Sequence, residues 1–270
     1  MNNRFSGKTI LITGATSGVG KATALDFAKE GANVVISGRR EKRGQALVKQ
    51  IQKEKGEALF VQTDVGNKDD IKNLITKTVE HYGRLDFAFN NACEHDNGIA
   101  KVADIQEVNF DRHINIGLKG LWLCMKYQIQ AMLKQGSANG ETYSIVNSSS
   151  ISGVGGGWPL ISIYSVVKSG VAAFSKSAAQ EYAKNNIRIN ALGGGFFDTE
   201  MIQKYFDELA DFQNITRDQL DAHINGMIPL GRMAELEEVS KNVLFLCSED
   251  SSYITGSSII IDGGMSAKYL

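Results

Sequence analysis

The 270-residue chain has little that would tie it to an oxidising compartment, a polyanion or a bilayer. It holds three cysteines, Cys93, Cys124 and Cys247, too few and too scattered for a disulfide framework. No two of them sit at metal-ligand spacing, so no metal site is expected, and a reduced compartment is the natural setting. Charge of one sign is also missing. Thirty acidic residues face 29 basic ones, for a formal net charge of -1, which gives no electrostatic reason to expect nucleic acid or an anionic membrane as partner. No apolar run approaches the roughly 20 residues that span a bilayer. The short run near the N-terminus stops at Thr13 and carries no cleavage pattern. These absences lead to the expectation of a soluble, cytoplasmic protein. No composition shift, linker or internal repeat divides the chain, so a single domain over 1–270 is expected.

What the chain does have is alternation. Short β-branched runs at 8–13, 32–37, 57–63, 85–90, 142–148, 187–192 and 258–262 read as strands. They are almost continuously apolar, the pattern of parallel strands covered on both faces. Helical patterns fill the intervals at 19–30, 41–55, 68–82, 105–134, 163–185 and 236–248. The order predicts a doubly wound α/β fold, a seven-stranded parallel sheet with helices on both faces. The longest interruption, 196–229, is rich in aromatics and methionines and reads as a substrate-loop insertion with an apolar underside.

Between the first strand and the first helix stands Thr13-Gly14-Ala15-Thr16-Ser17-Gly18-Val19-Gly20. Glycines permit a tight turn and a close approach to the backbone, and the amides of the helix start then face an anion. In this strand–turn–helix context the motif indicates a dinucleotide pyrophosphate site. The second strand ends in Ser37-Gly38-Arg39-Arg40. A site for the unphosphorylated dinucleotide usually puts a carboxylate about 20 residues past the turn. Arg39 and Arg40 instead suit a ribose 2′-phosphate, favouring NADP(H), with NAD(H) possible.

Tyr164 and Lys168 are four residues apart on a predicted helix and so share a face. A neighbouring ammonium would lower the phenol pKa and make Tyr164 usable as a general acid or base. The same spacing occurs on many solvated helix faces, and the pair acquires meaning only with a cofactor beside it.

With the glycine-rich turn, Asp64-Val65, Asn90-Asn91-Ala92, the serine run before Tyr164 and Lys168, the segment 188–199, and Ile261-Asp262-Gly263-Gly264, the chain resembles the single-domain short-chain dehydrogenase/reductase family, with its Rossmann-type sheet. The resemblance implies a hydride-transferring oxidoreductase that interconverts carbonyl and alcohol. It further implies that Asp64 and Val65 meet the adenine and that Asn91 and Ala92 line the ribose. Gly195, Phe197 and Thr199 would lie on the nicotinamide side. Tyr164 would be the acid–base group, and Lys168 would bind the nicotinamide ribose and lower the Tyr164 pKa. A serine would polarise the carbonyl: the interval to Gly153 selects Ser150, the interval to Tyr164 lands on Ile151, and Ser149 is the alternative. Similar proteins form homotetramers, or homodimers, through their long central helices. The face around Leu121, Leu123 and Met125 suits such an interface, and equally packing on the sheet.

Three departures qualify the resemblance. Cys93 stands where the family has glycine, read as an inert small residue, and Gly194-Gly195 stands where it has Pro-Gly, a change expected to loosen the nicotinamide side. Gly117 stands where a fourth catalytic residue, an asparagine, helps hold a relay water, and Asn115 points roughly 200° away on a helix. The expected function is therefore NADP(H)-dependent oxidoreduction of a small to medium, largely apolar carbonyl or alcohol. Substrate walls are expected at 94–98, 151–160 and 196–227. The alternatives are a catalytically impaired dinucleotide-binding sensor or scaffold, an NAD(H)-linked alcohol dehydrogenase, and isomerase or dehydratase chemistry on the same scaffold.

Overall fold

The computed structural model describes residues 3–94, 99–136 and 140–269. Its strands are β1 (Thr9–Thr13), β2 (Asn33–Gly38), β3 (Glu57–Gln62), β4 (Phe87–Asn90), β5 (Tyr143–Ser150), β6 (Ile187–Gly194) and β7 (Ser258–Ile261). Among the described residues they form one parallel sheet in the order β3-β2-β1-β4-β5-β6-β7. The order reverses between β1 and β4, which opens a crevice at the carboxyl ends of the strands, the usual ligand position in such sheets.

Why the strands read as continuous apolar runs is visible in their two faces. Ile10, Ile12, Val34, Ile36, Phe89 and Val146 point into one core, under α1 (Gly18–Lys29) and α10 (Leu236–Cys247). Their neighbours Leu11, Val35, Ala88 and Ile145 point into the other, under α3 (Lys68–Tyr82), α5 (Gly120–Gln135) and α7 (Ser162–Tyr182). With period 2 and both faces covered, every position of the central strands β1, β4 and β6 is buried. Each large side chain so buried contributes about 1.5–3 kcal/mol. Leu121 and Met125 belong to this second core and Leu123 to a small cluster beside it, so the predicted α5 face packs inward. Trp122 and Leu133 on α5 and Val166 and Phe174 on α7 are the exposed large apolar residues of these helices.

The remaining helices are α2 (Glu41–Lys53), α4 (Glu107–His113), the single turn α6 (Ile151–Val154), α8 (Glu200–Gln213) and α9 (Arg217–Met227). The helix predicted as one piece over 105–134 is helical without a break over 107–135, but its pitch changes. A π-helical stretch, Ile114–Lys119, separates α4 from α5. It lies where the backbone is pressed from two sides: a side chain on Gly120 would meet the Val65 carbonyl, and one on Gly117 would meet Val167. Such wide turns insert a residue into the i→i+4 ladder and recur at functional sites.

Within 196–229 the chain forms two helices. Thr199 caps α8 by accepting from the Ile202 amide, and Thr216 with Gln219 makes a reciprocal capping box for α9. Tyr205, Phe206, Leu209, Leu220 and Ile224 bury the apolar underside against Ile151, Phe196 and Trp158.

Candidate active site

The crevice is a cleft of about 380 Å³ that runs from Arg39, Arg40 and Asp64 to Tyr164 and Lys168. The predicted residues Gly14, Thr16, Ser17, Gly18, Val19, Val65, Asn91, Ala92, Gly195, Phe197 and Thr199 all line it. Gly20 does not. A side chain there would strike the Gly14 carbonyl and the Asn91 amide, so Gly20 seats α1 under the turn and supports the wall from below. Gly18 has φ +52°, a left-handed conformation that glycine adopts without strain.

Neighbouring elements tie the turn down. Asn91 donates from Nδ2 to the carbonyls of Thr13 and Gly14, at 3.3 and 3.2 Å. The Thr13 hydroxyl accepts from the Asn91 and Ala92 amides, both at 3.1 Å. Asn91 therefore fastens β1 to β4 while its backbone faces the cleft. Asp64 is fixed in the same manner, because Asn67 caps α3 and Asp70, in its first turn, accepts from the Asp64 amide at 2.9 Å.

The Ser148–Lys168 stretch is ordered by backbone contact. Ser150 caps α6, and Gly153 lies so near α7 that a Cβ would sit 2.4 Å from the Lys168 carbonyl carbon. That glycine, three residues after Ser150, is what lets α6 rest on α7 and fixes the serine relative to Tyr164. Ser150 lies beside Tyr164 in the wall of the site, and its hydroxyl donates to the Gly194 carbonyl at 3.3 Å. Ser149 is turned away and donates to the Lys168 carbonyl at 2.8 Å. Its hydroxyl is spent on α7, so Ser150 is the serine that meets the tyrosine. Ser152, which the sequence pattern did not single out, donates to Ser150 Oγ at 3.1 Å.

Lys168 is held by the end of β5. Its Nζ donates to the Ser148 carbonyl at 2.6 Å and lies 5.5 Å from the tyrosine ring centroid. Burial pulls the Lys168 ammonium below its usual value, with Cys93 opposing. Burial pushes the Tyr164 phenol well above its ordinary range; Cys93 adds to the rise and the neighbouring Ser150 hydroxyl opposes it. Desolvation outweighs charge proximity, and both groups are driven toward their neutral forms.

A small apolar chamber of about 50 Å³ opens beside the cleft, lined by Ser150, Ile151, Trp158, Ile161, Phe196 and Tyr205 among others. Trp158 and Phe196 meet edge to face with ring centroids 5.7 Å apart, as do Phe196 and Phe206 at 5.3 Å. Tyr164, Gly195, Met201 and Ile202 belong to both cavities. Of the predicted substrate walls, 95–98 lie outside the described residues.

The departures are accommodated by packing. At Gly194 a Cβ would fall 2.5 Å from the Phe197 ring, so that ring fills the space of a residue-194 side chain. Cys93 is half-buried beside Met201, with the two sulfurs 4.0 Å apart. At the adenosine end, Arg40 is folded onto the turn, donating to Thr16 Oγ1 at 3.0–3.1 Å and to Ser17 Oγ at 2.6 Å. Arg43, one turn into α2, went unnoticed in the sequence because it follows the strand end by five residues. It pairs with Glu200.

A family model described as enoyl-(acyl carrier protein) reductase matches residues 14–266. The chain is 40% identical over 265 residues to the 3-oxoacyl-(acyl-carrier-protein) reductase FabG of Thermotoga maritima, covering 97% of this chain and 99% of that one. It is 36% identical over 263 residues to a 2,5-dichloro-2,5-cyclohexadiene-1,4-diol dehydrogenase of Sphingobium indicum, covering 97% and 98%. The crystal structure of levodione reductase superposes with a TM-score of 0.92 at 30% identity, over 98% of this chain and 100% of that one.

Proposed function

The chain belongs to the short-chain dehydrogenase/reductase family of NAD(P)-dependent oxidoreductases, and we propose that it interconverts a ketone or aldehyde with an alcohol, using NADP(H) in preference to NAD(H). The observation that carries this reading is the wall shared by the two cavities: Tyr164 borders both the long polar cleft and the apolar chamber, with Ser150 beside it in the chamber wall. The glycine-rich turn, pinned by Asn91 and free of side chains at Gly14 and Gly18, fits the pyrophosphate of a dinucleotide. Thr16, Ser17 and Val19 would complete that cradle. Asp64 and Val65 would hold the adenine, Ala92 the adenosine ribose, and Arg39 and Arg40 the 2′-phosphate. Gly195, Phe197, Thr199 and Lys168 would hold the nicotinamide side.

When bound there, the nicotinamide supplies or accepts the hydride. Tyr164, kept protonated by burial, donates its proton to the carbonyl oxygen as the alcohol forms, and takes it back in the reverse direction. Ser150 would place a hydrogen bond on the same oxygen, where negative charge develops, its hydroxyl turning from the Gly194 carbonyl to do so. Ser152 steadies Ser150 from behind. The chamber's aromatic walls favour a small alicyclic carrier of the reacting group, which agrees with the ring alcohol in the name of the Sphingobium relative. A homotetramer or homodimer belongs to the same proposal.

A panel of cyclic and linear ketones, aldehydes and alcohols with each cofactor, followed by nicotinamide absorbance, tests the reading. Turnover of an alicyclic ketone with NADPH, faster than with NADH, is expected. Tight dinucleotide binding with no turnover anywhere in the panel would instead identify a sensor or scaffold. Product formation without an absorbance change would identify isomerase or dehydratase chemistry.

A further inference from the structure

Three arginines crowd the end of β2 and the first turn of α2: Arg39, Arg40 and Arg43. Such a cluster attracts an anion, and the protein supplies one of its own. Glu200, the first residue of α8, places Oε1 and Oε2 at 3.0 and 2.8 Å from Arg43 Nη1, and Oε2 lies 3.7 Å from Arg40 Nη1. The carboxylate thus bridges α2 and α8. It does so at one rim of the cleft, which both Arg40 and Glu200 line. The next two residues, Met201 and Ile202, form part of the wall common to the cleft and the apolar chamber. Thr199 packs on Gly18, so the first turn of α8 is clipped to the glycine-rich turn on one side and to α2 on the other.

We propose that Glu200 is an internal competitor for the 2′-phosphate of the cofactor, and that this phosphate, by taking over Arg40 and Arg43, releases the first turn of α8. The inference rests on the proposed NADP(H) preference and extends it. Arginine forks bind phosphate and carboxylate through the same donors, so the two anions cannot both be served. NAD(H), lacking the 2′-phosphate, would leave the clip in place. The phosphate end of the cofactor would then set the freedom of Met201 and Ile202 at the substrate chamber. All three side chains are substantially exposed, with relative accessibilities of 42% for Arg40, 49% for Arg43 and 67% for Glu200. The effect should therefore be of the size of a surface charge pair, about two- to fivefold in affinity.

The test compares the whole protein with its Glu200→Gln variant in binding adenosine 2′,5′-bisphosphate, 5′-AMP, NADPH and NADH by calorimetry. Amide hydrogen exchange over 201–206 is followed in the same samples. The variant should bind the bisphosphate and NADPH about two- to fivefold more tightly and bind 5′-AMP and NADH unchanged. Ligand-free Glu200→Gln should exchange faster over 201–206, and adding the bisphosphate, but not 5′-AMP, should bring the unmodified protein to that rate. A bisphosphate preference that Glu200→Gln leaves unaltered, with unaltered exchange, overturns the competition while sparing the NADP(H) reading. Equal binding of bisphosphate and 5′-AMP in both proteins overturns both. Equal binding in the unmodified protein that turns into a bisphosphate preference in the variant supports the competition and overturns the simple cofactor preference.

Discussion

At Tyr164 two effects compete for the same proton. An ammonium four residues away on the helix would favour the phenolate, whereas loss of water favours the phenol. The second prevails because Lys168 is only 4% exposed, is itself desolvated and directs its Nζ to the Ser148 carbonyl. The sign of the consequence is definite. A phenol whose pKa is raised stays protonated through neutral pH, so carbonyl reduction, which needs the proton, should be flat from neutral pH upward through the ordinary tyrosine range. Alcohol oxidation, which needs the proton gone, should still be rising with pH there. Matched pH profiles of the two directions check this; an oxidation rate that levels off near neutral pH would contradict it. At Gly117 the helix spacing exposed a departure but not its compensation. A Cβ there would lie 2.6 Å from Val167 Cγ1, so the valine beside Lys168 occupies the room of the missing side chain. Gly117→Asn alone should destabilise by about 1–3 kcal/mol through overpacking. Combined with Val167→Ala, it should be more stable than the sum of the single changes by about 1 kcal/mol or more in urea unfolding. Strict additivity would show that the two positions do not share that space.

Among the elements, α8 walls the apolar chamber through Met201, Ile202 and Tyr205, and Arg217 ties α9 to it. Arg217, at the start of α9, pairs with Asp207 at 2.6 Å and Asp221 at 2.8 Å, bonds Gln203, and lies 5.4 Å from the Phe206 ring centroid. Arg217→Met keeps the apolar stem and removes the clasp. It should raise KM for the carbonyl substrate several-fold while the dinucleotide Kd stays unchanged, as steady-state kinetics and binding titrations would report. Much at this scale was legible in the chain: strand ends fall within about two residues because two-faced burial makes the apolar runs continuous and glycine or a polar cap ends them. The π-helical stretch was not, because its cause lies in Val65 and Val167, which approach from other elements. The Arg43–Glu200 pair was equally hidden, since its partners are 157 residues apart and neither belongs to a recognisable motif.

Across the whole molecule, function and stability sit at opposite ends of the sheet. The carboxyl ends of the strands hold the cleft; at the amino ends Asp86 is fully buried, accepting from the Thr9 amide at 2.8 Å and from Arg84 at 2.6 and 2.7 Å. Glu141 bridges Arg84 and Lys8 beside it, and its hydrogen bond to Arg84 holds its carboxyl below the ordinary value of 4.5. With a depressed folded pKa, its contribution is complete above that value and is lost as pH falls through the folded one; its exposure keeps the contribution small. Asp86→Ala, which leaves the buried Thr9 amide without its acceptor and Arg84 with Glu141 alone, should cost about 1–3 kcal/mol in unfolding free energy and leave kcat of the folded enzyme unchanged. The central claim, that Tyr164 completes a hydride transfer started by the bound cofactor, is most directly tested with NADPH deuterated at nicotinamide C4 and an alicyclic ketone found active in the panel. The unmodified protein should deliver the label to the carbinol carbon, and Tyr164→Phe should bind NADPH with the same Kd yet transfer it at least about 100-fold more slowly. Label transfer by Tyr164→Phe at the unmodified rate would contradict the account.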